Sequence, residues 1–241
     1  KAKYVYFFGG GKAEGDAGMK NLLGGKGANL AEMANLGIPV PAGFTISTAM
    51  CTVYYQNKGK FPPELRAAVD KAMARVERVM GMKFGDPANP LLVSCSSGAR
   101  RSMPGMMETV LNIGLTSKTI PGLIAKSNNP RFVYDAYRRL IAMYSDVVME
   151  KAAGIEVAEG QGIRQQLERE LQKVKDANGY KLDTDLTADD LKALVEVYKA
   201  KVQEVLGRPF PDDPQEQLRG GIRAVFQSWM GKRACSYRRI E

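Results

Sequence analysis

The chain has no histidine among its 241 residues. That removes the Ser-His-Asp triad, the Cys-His pair, HExxH zinc sites and any histidine general base in one step. Chemistry here must rest on lysine, arginine, carboxylates, backbone NH groups or a partner's residues. Cysteine is scarce too: Cys51, Cys95 and Cys235 are odd in number and far apart, which argues against a disulfide framework or a CxxC knuckle. No run of eighteen or more apolar residues occurs, and the opening KAKYVYFFGGGK is broken by glycine too soon for a secretory signal. The expectation is a soluble intracellular protein.

Against those absences stand 44% hydrophobic residues, enough for a proper core, and a formal net charge of +9. A positive field favours phosphates in general without choosing among nucleotide, polynucleotide and anionic lipid.

Lys3–Phe8 (KYVYFF) suits a strand, and the glycine-rich GGGKAEGDAG after it a loop. The apolar spacing from Lys26 to Leu36 fits one helical face stopped by Gly37 and Pro39. A short strand is expected over Phe44–Ser47, a helix opened by Pro62-Pro63 and ended by Gly81, and a buried strand over Leu91–Cys95. After Gly114 the pattern is helical almost throughout. RFVYDAYRRLIAMYSDVVME places Val133, Tyr137, Leu140, Ile141, Tyr144, Val147 and Val148 on one face. A charged helix should follow from Ile163 to about Asp176, and a capped one from Thr187-Ala-Asp-Asp190 to Leu206. A last helix is expected over Pro214–Trp229, then ACSYRRI as a strand.

The stretch LLGGKGANL fails both familiar phosphate loops. A Walker A loop needs GxxxxGK followed by Ser or Thr, but Lys26 is followed by Gly27, and Lys20 stands where the first glycine belongs. GxGxxG fails because Leu30 holds the last position. Its glycines still let backbone NH groups approach an anion, the following helix offers its positive end, and Lys26 adds a movable charge. A plain turn is the competing reading. A second stretch, SSGARRSMPGMMETVLNIG, offers Arg100 and Arg101 as planar forks and Ser97, Gly98 and Gly105 as backbone donors. Here the alternative is a surface loop with solvated arginines.

Taken together, NLLGGKGANLAEMANLGIPVPAGFTIST, KFGDPANPLLVS, SGARRSMPGMMETVLNIGL, NPRFVYDAYRRLIAMYSDVVME and DTDLTADDLK resemble the amino-terminal part of the pyruvate, phosphate dikinase family over essentially the whole chain. The resemblance implies an α+β fold: an ATP-grasp-type first lobe with a small mixed sheet, formed by 1–114 and 206–241, and an inserted, mainly helical subdomain over 115–205. It implies a reaction that converts ATP, phosphate and pyruvate to AMP, pyrophosphate and phosphoenolpyruvate through a histidine on a separate swivelling domain. Lys26 matches the family's lysine that contacts ATP phosphates. Ser102–Thr109 matches its phosphate-covering loop, with Gly105 and Met107 offering backbone NH groups and Glu108 standing where Asp is usual. Arg100 is expected as a nucleotide ligand if it compensates for an arginine that this chain lacks; otherwise the site is altered or impaired. The family's SVRSGAR reads SCSSGAR here, so Ser96 replaces an arginine that grips nucleotide phosphates.

The same resemblance puts the magnesium-binding carboxylates in a second lobe after Glu241 and the carrier-histidine and pyruvate domains beyond it. No catalytic residue and no metal ligand is therefore expected in this stretch, which alone would be inactive. ATP and the carrier-histidine domain are the expected partners, with no nucleic acid or membrane and with homodimerisation confined to the full-length enzyme. The compartment is read as cytoplasm or an organelle such as a plastid or glycosome. Two rivals remain: a basic polyanion-binding module using Arg138, Arg139, Lys232, Arg233, Arg238 and Arg239, and a regulatory pseudoenzyme explained by Ser96.

Overall fold

A computed structural model describes residues 3–99 and 107–240 of the chain. It divides into two compact units, the first made of Lys1–Phe84, Ser97–Met107 and Trp229–Glu241 and the second of Gly85–Ser96 and Glu108–Ser228. The architecture is mixed α+β.

In the first unit, the aromatic and β-branched run after Lys3 forms β1 (Val5–Gly9), the middle strand of a three-stranded sheet. It pairs antiparallel with β2 (Lys12–Ala13) across the Gly10-Gly11 turn and with β3 (Gly43–Ile46). Both glycines of that turn have positive φ, 61° and 76°, which lets the hairpin close in two residues. Where a mixed sheet is expected from the resemblance, both pairings in this sheet are antiparallel.

Helices α1 (Lys20–Asn35) and α3 (Pro63–Met80) lie against β1, with α2 (Ala49–Gln56) between them in sequence. The α3 face Leu65, Val69, Ala72, Met73 and Val76 recurs at helical spacing and is buried. Pro63 opens that helix and Gly81, at φ 64°, ends it, both as expected. Arg75 on α3 stacks 3.8 Å from the centre of the Phe7 ring and bonds Glu14 at 2.8 Å, tying the helix to the sheet. The short strand β4 (Lys83–Phe84) follows.

The second unit opens with β5 (Pro90–Leu91), β6 (Val93–Ser96) and β7 (Thr109–Ile113), and β6 and β7 pair antiparallel. The register slips between Val93 and Cys95, while Asn112 opposite takes a left-handed φ of 58°. Five helices follow: α4 (Ile120–Ser127), α5 (Pro130–Tyr144), α6 (Ile163–Asn178), α7 (Ala188–Leu206) and α8 (Pro214–Ser228). The core joins Val133, Tyr137, Leu140 and Ile141 of α5 to α7, whose buried residues include Leu191, Leu194, Val195 and Tyr198. Thr187 and Asp190 form the expected reciprocal cap at the start of α7, with bonds of 3.1 and 2.9 Å.

The long helix expected through Glu150 changes character at Ser145. From there to Lys151 the chain is a π-helix, a widened turn that α-helical periodicity does not reveal over so short a stretch. It buries two carboxylates, each with a partner: Glu150 accepts from the Ile163 NH at 2.8 Å, and Asp146 bonds Lys151 at 2.9 Å. Gln217 on α8 is fully buried and ties three backbone groups together, accepting from Gly114 N and donating to Leu115 O and Pro211 O, each at 2.9 Å.

One expectation is corrected outright. ACSYRRI is not a strand but part of α9 (Lys232–Ile240), in the first unit. Its lysine, arginines and alanine are good helix formers, and Ala234 and the half-buried Tyr237 stand three residues apart, a helical and not an alternating period.

Candidate functional site

The glycine-rich turn and the segment after β6, far apart in sequence, meet in the first unit. Gly24, at φ 70° and ψ 167°, breaks α1 into a short leading turn and a longer helix starting at Gly25. That backbone conformation suits glycine. A Cβ there would also run into the Gly98 carbonyl, with the carbonyl carbon only 2.7 Å away. Gly25 N donates to Ala99 O at 3.0 Å, so the two stretches are joined backbone to backbone. Across the helix, a Cβ on Gly27 would stand 2.8 Å from Thr45 Oγ1 of β3. The leading turn is pinned by Thr48, whose NH donates to Leu22 O at 2.8 Å and whose hydroxyl donates to Asn21 O at 2.7 Å.

Lys26 stands on the first turn after the break, exposed, and makes no ion pair among the described residues. Local preference runs against this arrangement. Each flanking glycine in the helix costs about 0.5–1 kcal/mol relative to alanine, and a cation at the positive end of a helix opposes the dipole by about 0.3–1 kcal/mol. Departures from local preference concentrate at functional positions. Together they form a close-approach surface of backbone at a helix start with one mobile ammonium, which can receive an anion.

Ser96 ends β6 in the second unit, paired with Thr109 of β7 and exposed beside Ser94 on the outer face. Cys95 points the other way, and burial pushes its thiol up to about 12, so it stays protonated and is no nucleophile. Met107 is half-buried. Its neighbour Glu108 is held at both ends: its NH donates to Ser228 Oγ at 3.4 Å and its carboxylate lies 3.8 Å from Lys151 Nζ. Arg100, Gly105 and most of the expected phosphate-covering loop lie outside the described residues.

Among the described residues there is no group of three or more Cys, Asp and Glu side chains fit to hold a metal ion. Among those residues, too, no helix is long and apolar enough to cross a membrane. The polyanion reading loses Arg138, which is buried against Asp135 at 2.6 Å, while the exposed Arg139 bonds the same carboxylate at 2.8 Å. Thr45 and Thr48, which fix the glycine turn from behind, were not foreseen; their only sequence signal is that a glycine inside a helix implies a close neighbour.

The family model for "Pyruvate phosphate dikinase, AMP/ATP-binding domain" matches residues 20–60 and 57–241. The chain is 48% identical over 240 residues to the pyruvate, phosphate dikinase of Clostridium symbiosum, covering 99% of this chain and 26% of that protein. It is 47% identical over 239 residues to that of Rhizobium meliloti, covering 99% of this chain and 25% of the relative. With the chloroplastic enzyme of Mesembryanthemum crystallinum it shares 49% over 238 residues, 99% of this chain and 24% of the relative. The chain thus spans about a quarter of the length of the curated relatives it matches. It belongs to the pyruvate phosphate dikinase AMP/ATP-binding domain family.

Proposed function

We propose that the chain is part of the ATP-binding domain of a pyruvate, phosphate dikinase and supplies one side of the nucleotide site. In this reading 1–114 and 206–241 form the first lobe of an ATP-grasp domain, and 115–205 is a helical subdomain inserted in it. Lys26 contacts the ATP phosphates, while Arg100 and the backbone NH groups of Gly105 and Met107 close around them. The observation that carries this is the junction at Gly24 and Gly25, where the two phosphate-type motifs are bonded together with Lys26 exposed beside them.

The work of this chain's residues is positioning and charge neutralisation, since phosphoryl transfer asks little covalent chemistry of a protein. With no histidine in the chain, the phosphoryl group would pass to a carrier histidine on another domain, and then to pyruvate. Magnesium would accompany ATP, held by carboxylates outside this stretch. The described residues do not fit it on their own, and no step here runs through it. The protein would work in the cytoplasm or a plastid, as a homodimer when full-length.

Ser96 replaces a guanidinium fork with a short neutral hydroxyl. A hydrogen bond from a charged group is worth about 1.5–3 kcal/mol, so ATP is held about tenfold to a hundredfold less tightly than with arginine there. The test is calorimetric titration of the full-length dikinase with Mg-ATP. Lys26→Ala should weaken binding by about tenfold or more. Unchanged affinity and turnover in that variant would remove the lysine from the site.

A further inference from the structure

A groove of about 360 Å³ opens on the second unit between the end of α5 with its π-helical extension, the segment 208–211 and α8. One side is largely apolar, with Tyr144, Val148, Met149 and Ala153. Arg208 stands at its margin, and Arg219 and Arg223 line the α8 side together with Glu216. Glu216, Arg219, Gly220 and Arg223 stand at i, i+3, i+4 and i+7, so α8 turns one stripe toward the groove. Three guanidinium groups against one carboxylate leave it net positive.

The groove is shaped for this. A Cβ on Gly220 would collide with the Tyr144 hydroxyl and come within 3.0 Å of Val148, so only glycine lets the tyrosine settle on α8. Burial raises the Tyr144 phenol, with Glu216 adding to the rise and Arg208 and Arg223 opposing it, so it remains a neutral donor. Arg208 is fixed by a 3.0 Å bond from its guanidinium to Met149 O. Arg219 and Arg223 form no ion pair among the described residues and sit one helical turn apart, where like charges repel. Two exposed arginines in that spacing, lining the same groove as a third, are an arrangement that an anion relieves.

We propose that this groove binds a small organic anion, a phosphate monoester on an apolar body, gripped by Arg208, Arg219 and Arg223 with its body against Val148, Met149 and Ala153. Guanidinium forks match phosphate oxygens. The volume suits a small molecule. The site uses none of the residues assigned to ATP and stands or falls apart from that assignment.

The probe is phenyl phosphate, titrated calorimetrically into the protein, with inorganic phosphate and phenol for comparison. Saturable binding is expected, about tenfold or more tighter than for inorganic phosphate, with none detected for phenol. Combining Arg219→Gln with Arg223→Gln should weaken it by about tenfold or more. Ala153→Trp, which keeps every charge but fills the groove, should do the same, guarding against a folding artefact in the first variant. Lys26→Ala should leave it unchanged. The proposal is overturned by absence of saturable binding, by equal affinity for inorganic phosphate or phenol, by full affinity in both groove variants, or by loss of affinity in Lys26→Ala. That last result would put the phosphate at the glycine turn instead. Mg-ATP affinity measured on the same variants reports separately on Lys26.

Discussion

The two units carry their chemistry in opposite ways. In the first, the junction around Gly24 is made of backbone, with glycines where side chains would collide and a single exposed lysine. In the second, order comes from side chains: Gln217 bonds three backbone groups, Glu150 caps α6, and Asp183 collects Lys175 at 2.9 Å and Arg138 at 3.6 Å. A backbone-built site is sensitive to any added atom and indifferent to charge-preserving polish elsewhere. A side-chain network is sensitive to the loss of a single polar partner.

The largest effect that should separate the two comes from Gly24→Val. A β-branched residue at φ 70° with the Gly98 carbonyl in its way should cost about 3 kcal/mol or more, from strain and overpacking together. The thermal unfolding midpoint of the chain should fall by roughly 6–12 °C and Mg-ATP binding should vanish. A variant that binds ATP normally would show that the junction is not needed. Gln217→Ala breaks the other kind of order: it strands Gly114 N, Leu115 O and Pro211 O, and should cost about 2–4 kcal/mol in denaturant unfolding. ATP affinity of the molecules that remain folded should not follow.

Ser96→Arg sharpens the comparison from the gain side. Restoring the fork should strengthen ATP binding by about 1.5–3 kcal/mol in calorimetry, with little change in stability because the position is exposed. No gain would mean that Arg100 or another group already fills that role. The smallest effect is on pH dependence. The hydrogen bond from Lys175, followed by the charges of Lys175 and Arg138, holds the Asp183 carboxyl below its ordinary 3.8 despite some desolvation. A depressed carboxyl stabilises the fold above its unfolded value and loses that contribution as pH falls through the lower folded value. Asp183→Asn should therefore flatten the acid limb of stability below about pH 4, leaving neutral Mg-ATP binding unchanged.

Much of the helical framework was legible because its signals are local. Pro62-Pro63 and Gly81 bracket α3, Thr187 and Asp190 open α7, and the apolar spacing of α5 marks its core face. Helix α2 and strand β7 carry no such signal, being short segments next to glycine- or proline-rich sequence. The π-helix escaped because its period departs from 3.6 for barely more than one turn. At the site, Lys26 could be named from its glycine surroundings, yet the bond from Gly25 to Ala99 could not, since nothing local in either stretch encodes the other. The arginine groove was invisible for the same reason: α5 and its π-helical extension lie about 60–80 positions before Arg208 and α8.

The most direct test of the backbone-built site is hydrogen–deuterium exchange of the full-length dikinase with and without saturating Mg-ATP. Peptides spanning 22–30 and 94–99 should exchange more slowly with nucleotide bound, and the 22–30 effect should disappear at the same ATP concentration in Lys26→Ala. Unchanged exchange in both peptides while ATP saturates the wild-type protein would contradict the assignment of the glycine turn to the ATP phosphates.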